Sequence, residues 1–230
     1  MTVPMPQPRP ASTVILLRGV EEVIEVLMVR RIPRGFFGGL TVFPGGAVDP
    51  EDESDLASEV VRGGQPDLRF RVAALRELAE ETGIALTVDG ALLAPPSRGH
   101  DLLRDLKTEG KTLDGEALTL ISRWVTPEYA PTRYDTRFFL AEAKGAPPVR
   151  LDTDELVDHM WVAPTVALER HAAGELEMFL PTVSHLRWLE RRSGVDDAIA
   201  SAAGADGRSL IRPRRMEDGS MVPVHLPSEG

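Results

Sequence analysis

Three glutamates, Glu77, Glu80 and Glu81, follow Arg76 in the segment Arg76-Glu77-Leu78-Ala79-Glu80-Glu81-Thr82-Gly83-Ile84. On a helix, at about 100° per residue, they share one narrow sector, because residues three and four apart are neighbours. Val72, Leu75, Leu78, Ala79 and Thr82 occupy much of the opposite side, which packs on a sheet. Three carboxylates on one face repel one another and gain nothing from this arrangement as helix formers. A hard divalent cation reverses the sign of that interaction, because Mg²⁺ and Mn²⁺ take oxygen ligands of this kind. The plain alternative is a solvated acidic face, common in a chain with 36 acidic residues. The upstream turn Phe43-Pro44-Gly45-Gly46 favours the metal reading. Its adjacent glycines let backbone carbonyls and amides approach a ligand closely.

Gly46 and the segment Arg76 to Ile84 resemble the Nudix box, G-x5-E-x7-R-E-U-x-E-E-x-G-U, with U a bulky aliphatic. Every specified position of the second half is matched, by Arg76, Glu77, Leu78, Glu80, Glu81, Gly83 and Ile84. The first half departs from the pattern. The box has 13 residues between its glycine and its arginine, whereas 29 separate Gly46 from Arg76, so 16 are inserted. Leu68 stands where the box glutamate would be counted back from Arg76, and Asp52 where it would fall counted forward from Gly46. The resemblance implies an α/β/α sandwich with a mixed sheet, the box forming loop, helix and loop. It also implies Mg²⁺ or Mn²⁺ held by Glu77, Glu80, Glu81 and the carbonyl of Gly46, with Arg76 orienting the carboxylates. Such ions neutralise bridging phosphates and lower the pKa of an attacking water. A further acid usually stands six residues before a tryptophan ahead of the last sheet strand. Glu155 stands six before Trp161, and is the candidate for that ligand or base. Glu77, Glu81 and Glu155 with Arg76 form the expected catalytic set; which carboxylate is the base stays open, because such groups titrate together.

Substrate class must come from residues outside the box. Leu27-Met28-Val29-Arg30, Gly39 and Phe43-Pro44-Gly45-Gly46-x-x-Asp49 resemble in part the coenzyme A diphosphatase signature. Val29 replaces its threonine, and Arg34 lies one place from its second arginine. Trp124-Val125-Thr126-Pro127 with Arg133 to Phe139 is similar to the acyl-CoA diphosphatase branch. The resemblance implies 3′,5′-ADP and (acyl-)4′-phosphopantetheine as products. It implies Arg30, Arg34, Arg133 and Arg137 as phosphate contacts, since a guanidinium grips phosphate with two donors, and Trp124 and Tyr134 as stacking partners for adenine. Other Nudix substrates (ADP-ribose, NADH, dinucleoside polyphosphates, damaged nucleotides) and a non-catalytic sensing module are the alternatives.

The elements that must position these residues are legible from periodicity. Ser12 to Arg18 and Val23 to Arg31 read as strands joined by a tight turn at Gly19 and Val20, and Leu40 to Phe43 as a short strand. Pro33 to Gly39 reads as a glycine-rich loop. The segment 49–65 reads as a loop with at most one helical turn. Asp67 is the expected N-cap of a helix running to Thr82, ended by Gly83. Further strands are expected at Ile84 to Val88, Leu118 to Val125, Thr136 to Ala143 and His159 to Val162. Helices are expected at His100 to Leu106, Thr165 to Ala173 and Thr182 to Arg192. Residues 1–11 read as a disordered segment, 12–203 as a single domain with an insertion at about 50–66, and 204–230 as a loose polar tail.

Composition narrows the function classes. There is no cysteine, so disulfides, thiolate metal sites and thiol nucleophiles are excluded. A net charge of -10 argues against a nucleic-acid polymer as partner but permits a small polyphosphate ligand beside a cation. No apolar run reaches the roughly 18 residues a membrane helix needs, and the four prolines of residues 1–10 do not suit a signal peptide. The expectation is therefore a cytoplasmic protein with a small nucleotide-linked substrate and no membrane, a homodimer being compatible with it.

Overall fold

The structure, a computed structural model, describes residues 6–21, 23–34, 38–63, 65–204, 210–216 and 218–226. The first hairpin is β1 (Arg9–Val20) and β2 (Val23–Arg31), followed by the short strands β3 (Thr41–Val42) and β4 (Gly45–Ala47). A 3-10 turn at Pro50–Glu53 leads into α1 (Asp55–Val60), β5 (Val61–Arg62) and α2 (Leu68–Thr82). Next come β6 (Ile84–Thr87), β7 (Gly90–Leu93), α3 (Gly99–Thr108), β8 (Leu113–Asp114), β9 (Thr119–Val125), β10 (Tyr134–Glu142) and β11 (Leu156–Val162). The chain closes with α4 (Pro164–Ala172), α5 (Leu180–Leu189), α6 (Val195–Ala203), β12 (Leu210–Arg215) and β13 (Met221–Leu226).

The larger sheet runs β11-β2-β1-β10-β9-β12-β13, with β3 and β4 added on β2 and β1. It is mixed: β1 is parallel to β10 and antiparallel to β2. A smaller sheet runs β5-β8-β6-β7. The run Val14 to Leu17 is buried throughout because both faces of its strand are covered. Val14 and Leu16 pack with Leu27, Phe139 and the α2 residues Val72, Leu75 and Leu78. Ile15 and Leu17 pack on the other face with Met28, Phe138 and the α5 residues Val183 and Leu186. Helices on both faces of a mixed sheet make the expected α/β/α sandwich.

Several local expectations need correction. Residues 9–11 belong to β1 and pair with β10, so this part of the expected disordered segment is a strand. The hairpin turn lies beyond Val20, with Glu21 at φ 56°, because pairing of Gly19 and Val20 with Ile24 and Val23 carries β1 further than its apolar pattern. Within the insertion, Ala57 and Val60 of α1 pack against Leu102, Leu103 and Leu106 of α3, burial that local polarity does not announce. The expected tail supplies β12, whose Leu210 and Ile211 are buried and pair with Arg123 and Trp124 of β9. Backbone hydrogen bonding and two apolar residues suffice there. Part of the Pro33 to Gly39 loop, residues 35–37, lies outside the described residues. Among the described residues, no helix is long and apolar enough to cross a membrane.

Candidate active site

The last two turns of α2 carry Arg76, Glu77, Glu80 and Glu81, and Gly83 ends the helix at φ 71°, a left-handed conformation glycine adopts without strain. Arg76 is only 2% exposed. Its Nε and Nη2 donate to Asp52 Oδ1 and Oδ2 at 2.9 and 3.0 Å, and Nη2 also to the Ala47 carbonyl at 3.0 Å. Its Nη1 donates to Glu77 Oε1 at 2.9 Å and Glu80 Oε2 at 3.4 Å. Burial opposes the guanidinium charge, but hydrogen-bonded Asp52 and the neighbouring glutamates outweigh it and hold its pKa above the ordinary value. Asp52, fully buried, also accepts from the Asp49 amide at 2.8 Å. The carboxylate paired with the box arginine thus comes from Asp52, ahead of the inserted helix.

Glu81 is held from two sides. Its Oε1 accepts from Arg31 Nη2 at 2.9 Å and its Oε2 from the Gly45 amide at 2.9 Å. Burial pushes its pKa up to about 8 in spite of Arg31. Glu77 is pushed up to about 7 by burial, partly offset by Arg76. Glu80 is also raised by burial, and its Oε1 accepts from the Gly99 amide, the first of α3, at 2.6 Å. A Cβ added to Gly46 would lie 2.4 Å from a Glu77 carboxylate oxygen, so a larger residue there would push the Glu77 carboxylate from its place.

Glu155 reaches the same cluster from the segment before β11. Its Oε2 is 3.6 Å from Arg31 Nη1, and its Oε1 accepts from Arg98 Nη1 at 3.3 Å. Its charge is felt by both Glu77 and Glu81. Arg98 also pairs with Asp152, whose amide donates to the Glu81 carbonyl at 3.1 Å. Among the described residues, no three acidic or histidine side chains enclose one point closely enough to grip an ion as they stand. Each carboxylate is drawn instead to a donor of the chain. The donor set nevertheless suits a hard divalent cation: four carboxylates within one another's field, oxygen atoms only, and a glycine backbone pressed against one of them.

The remaining expected contacts separate. Alternation along β2 sends Arg31 to the carboxylate side and Arg30 to the other, where Arg30 lies half-exposed, 3.8 Å from Asp158. Arg34 is exposed in the loop after β2. Arg133 is buried and committed to the carbonyls of Thr126 and Pro6, so it braces the chain start. Arg137 stacks on Phe70 at 3.4 Å and pairs with Asp67 at 3.2 Å, in a cleft beside Asp52 and the start of α2. Tyr134 alternates with Phe138 on β10 and so belongs to the face away from α2.

Trp124 needs correction as an adenine platform, because it is 4% exposed in the core beneath α5. Its Nε1 donates to Ser122 Oγ at 3.1 Å, which lies 2.7 Å from His185 Nε2. His185 Nδ1 donates to the Pro181 carbonyl at 2.7 Å, so Nε2 is the acceptor and Ser122 is its donor. Burial lowers His185 to about 4, and the ring is neutral at pH 7. Ser122→Ala would leave two buried polar atoms without their partner. It is expected to cost about 1–3 kcal/mol in chemical denaturation; no loss would show that both atoms find other partners.

Arg98, Gly99 and Asp152 were not singled out by sequence. Nothing in their spacing marks them, since they reach the site through packing of α3 and the 150–155 segment on α2.

The NUDIX domain profile matches residues 7–181. A Nudix hydrolase of Alicyclobacillus acidocaldarius is 34% identical, with a TM-score of 0.75, covering 86% of this chain and 97% of that one. The human acyl-coenzyme A diphosphatase NUDT19 is 27% identical over 237 residues, covering 76% of this chain and 63% of that protein. Its Gallus gallus counterpart, of the same name, is 26% identical, covering 75% and 63%. The chain therefore spans less than two thirds of the length of these curated relatives. With three quarters of its length matched by the domain profile and the box arginine and glutamates gathered at the glycine turn, the chain belongs to the Nudix family.

Proposed function

We propose that this chain hydrolyses a phosphoanhydride bond in a nucleoside-diphosphate-linked substrate, with Mg²⁺ or Mn²⁺ as cofactor and coenzyme A or an acyl-CoA as preferred substrate. The observation that carries this reading is the gathering of Glu77, Glu80, Glu81 and Glu155 beside the Gly45-Gly46 turn. These residues, with the Gly46 carbonyl, would hold the cation. When bound, it supplies the positive charge that offsets the diphosphate and favours ionisation of the attacking water. Arg76, locked by Asp52, keeps Glu77 and Glu80 facing the site. Arg31 and the Gly45 amide do the same for Glu81. Glu155, about half exposed at the rim, stands where a carboxylate either completes the ligands of the cation or takes the proton from the attacking water.

The substrate reading is supported by two relatives named acyl-coenzyme A diphosphatases, and by the match of the Phe43 to Asp49 turn to the coenzyme A signature. Coenzyme A carries a 3′-phosphate that ADP-ribose and NADH lack. Arg30 and Arg34, exposed on the strand and loop before the glycine turn, are the arginines suited to it. One lost charge-assisted contact costs about 1.5–3 kcal/mol, or roughly tenfold or more in rate. The test compares kcat/KM for coenzyme A and dephospho-coenzyme A, with Mg²⁺ and with Mn²⁺, products identified by mass. The expected result is a preference of at least about tenfold for coenzyme A, weakened by Arg34→Ala or Arg30→Ala. Equal rates, or faster cleavage of ADP-ribose or NADH, would return the function to a phosphoanhydride hydrolase of different preference.

A further inference from the structure

We infer that Arg98, outside the box and at the start of α3, is a positioning residue for Glu155; this rests on the metal-dependent hydrolase reading above. Two straps meet at the carboxylate cluster. One is the 94–99 segment, which ends on α3, and the other is the 150–155 segment, which leads to β11. The second is fixed along the end of α2, because the Arg150 amide donates to the Thr82 carbonyl at 2.8 Å and the Asp152 amide to the Glu81 carbonyl at 3.1 Å. Arg150 Nη2 ties it to the first strap through the Ala94 carbonyl at 2.7 Å. Arg98 completes the tie, gripping Asp152 and Glu155 together. Its neighbour Gly99 meanwhile donates its amide to Glu80. The Arg98-Gly99 pair thus touches one carboxylate of the α2 face and the carboxylate opposite it.

Glu155 depends on this tie. Among the described residues its carboxylate meets only guanidinium groups, Arg98 at 3.3 Å and Arg31 at 3.6 Å. Arg31 is already engaged by Glu81 and the Gly45 carbonyl. Without Arg98, a half-exposed glutamate would keep one long contact and regain its rotamer freedom. The Arg98–Glu155 pair itself adds little to the fold, because its side chains are 44% and 46% exposed and ion pairs at such sites contribute little to stability. Arg98 could affect a cation in two opposed ways. As a positive charge it repels one, and as a tie for Glu155 it helps to hold one. The geometry favours the tie, because Arg98 bonds to the carboxylates themselves and its charge is screened by solvent.

The test uses the full chain with Arg98→Gln, Arg98→Lys, Glu155→Gln and the Arg98→Gln/Glu155→Gln pair. Mn²⁺ affinity is followed by electron paramagnetic resonance, turnover on coenzyme A by product formation, and folding by thermal melting. Arg98→Gln is expected to weaken Mn²⁺ binding several-fold and to lower kcat about tenfold, with KM little changed, as losses of outer-shell ligand supports do. Arg98→Lys, which keeps charge and much of the reach, should recover most of the turnover. Adding Arg98→Gln to Glu155→Gln should change neither quantity further, since the arginine acts through the glutamate. Tighter Mn²⁺ binding by Arg98→Gln with unchanged kcat would overturn the inference and leave Arg98 as a simple counter-charge. Independent, additive losses in the pair would overturn it too. A wild-type chain that neither binds Mn²⁺ nor cleaves any phosphoanhydride would overturn the hydrolase reading and this inference with it.

Discussion

Glu81→Gln is expected to lower kcat at least about a hundredfold and, in the presence of a chelator, to flatten the fall of melting temperature with pH between about 5 and 8. The substitution keeps shape and removes the charge a divalent cation would meet. The stability half follows from proton linkage. Burial raises Glu81 to about 8 and Glu77 to about 7, from an ordinary value near 4.5. Below pH 4.5 both carboxyls are protonated whether the chain is folded or not, and the stability this contributes is fully present. Between 4.5 and 8 the unfolded chain releases these protons while the folded one retains them, so stability falls as pH rises. Each tenfold difference in proton affinity is about 1.4 kcal/mol, so Glu81 alone costs on the order of a few kcal/mol at pH 8. Glutamine has no such proton to lose. Melting curves from pH 5 to 8 should therefore slope downward in wild type and less steeply in Glu81→Gln, and Mn²⁺ should lift only the wild type strongly at pH 8. Near wild-type turnover by Glu81→Gln would remove this glutamate from the metal site.

Asp52→Ala should produce a large loss of stability. Asp52 is fully buried and accepts two hydrogen bonds from Arg76, itself 2% exposed. Removing one partner of a buried ion pair leaves the other charge desolvated, at a cost of roughly 3–5 kcal/mol. Glu77 and Glu80 still contact Nη1 of Arg76, which argues for the lower end. At a few degrees per kcal/mol for a chain of this size, the melting temperature should fall by roughly ten degrees. Turnover should fall with it, because Arg76 would no longer be fixed where it orients two of the glutamates. An unfolding midpoint equal to that of wild type would mean that the glutamates alone neutralise Arg76, and that the carboxylate ahead of the insertion is dispensable.

The chemistry-bearing helix was legible because local rules determine it. An apolar stripe at helical period and Gly83 at the end mark it, and the same period placed Glu77, Glu80 and Glu81 on one face. Asp67 stands at the N-cap position, but its side chain makes no cap hydrogen bond and pairs with Arg137 instead. The apolar runs of β1 and β2 announced buried strands, since their side chains fill cores on both faces of the sheet. The resemblance to the Nudix family, through the spacing to Trp161, pointed to Glu155, and the structure brings it to the cluster. Long-range partners were not legible. Asp52 pairs with Arg76 across 24 residues, and Arg98 reaches the 150–155 segment across more than 50; no periodicity spans such distances. Strand parity made Arg31, and not Arg30, the neighbour of Glu81, a choice fixed only by which face of β2 meets α2. Trp124 and Arg133 carry side chains suited to ligand contact, yet tertiary burial committed both to the chain's own polar atoms. The sequence by itself therefore determined the helix with its carboxylate face and the strands that bury it, because those depend on residues within one or two turns of each other. The tertiary structure decided which charges neutralise that face and which arginines remain exposed, because the cost of burying a charge depends on partners that only folding brings together.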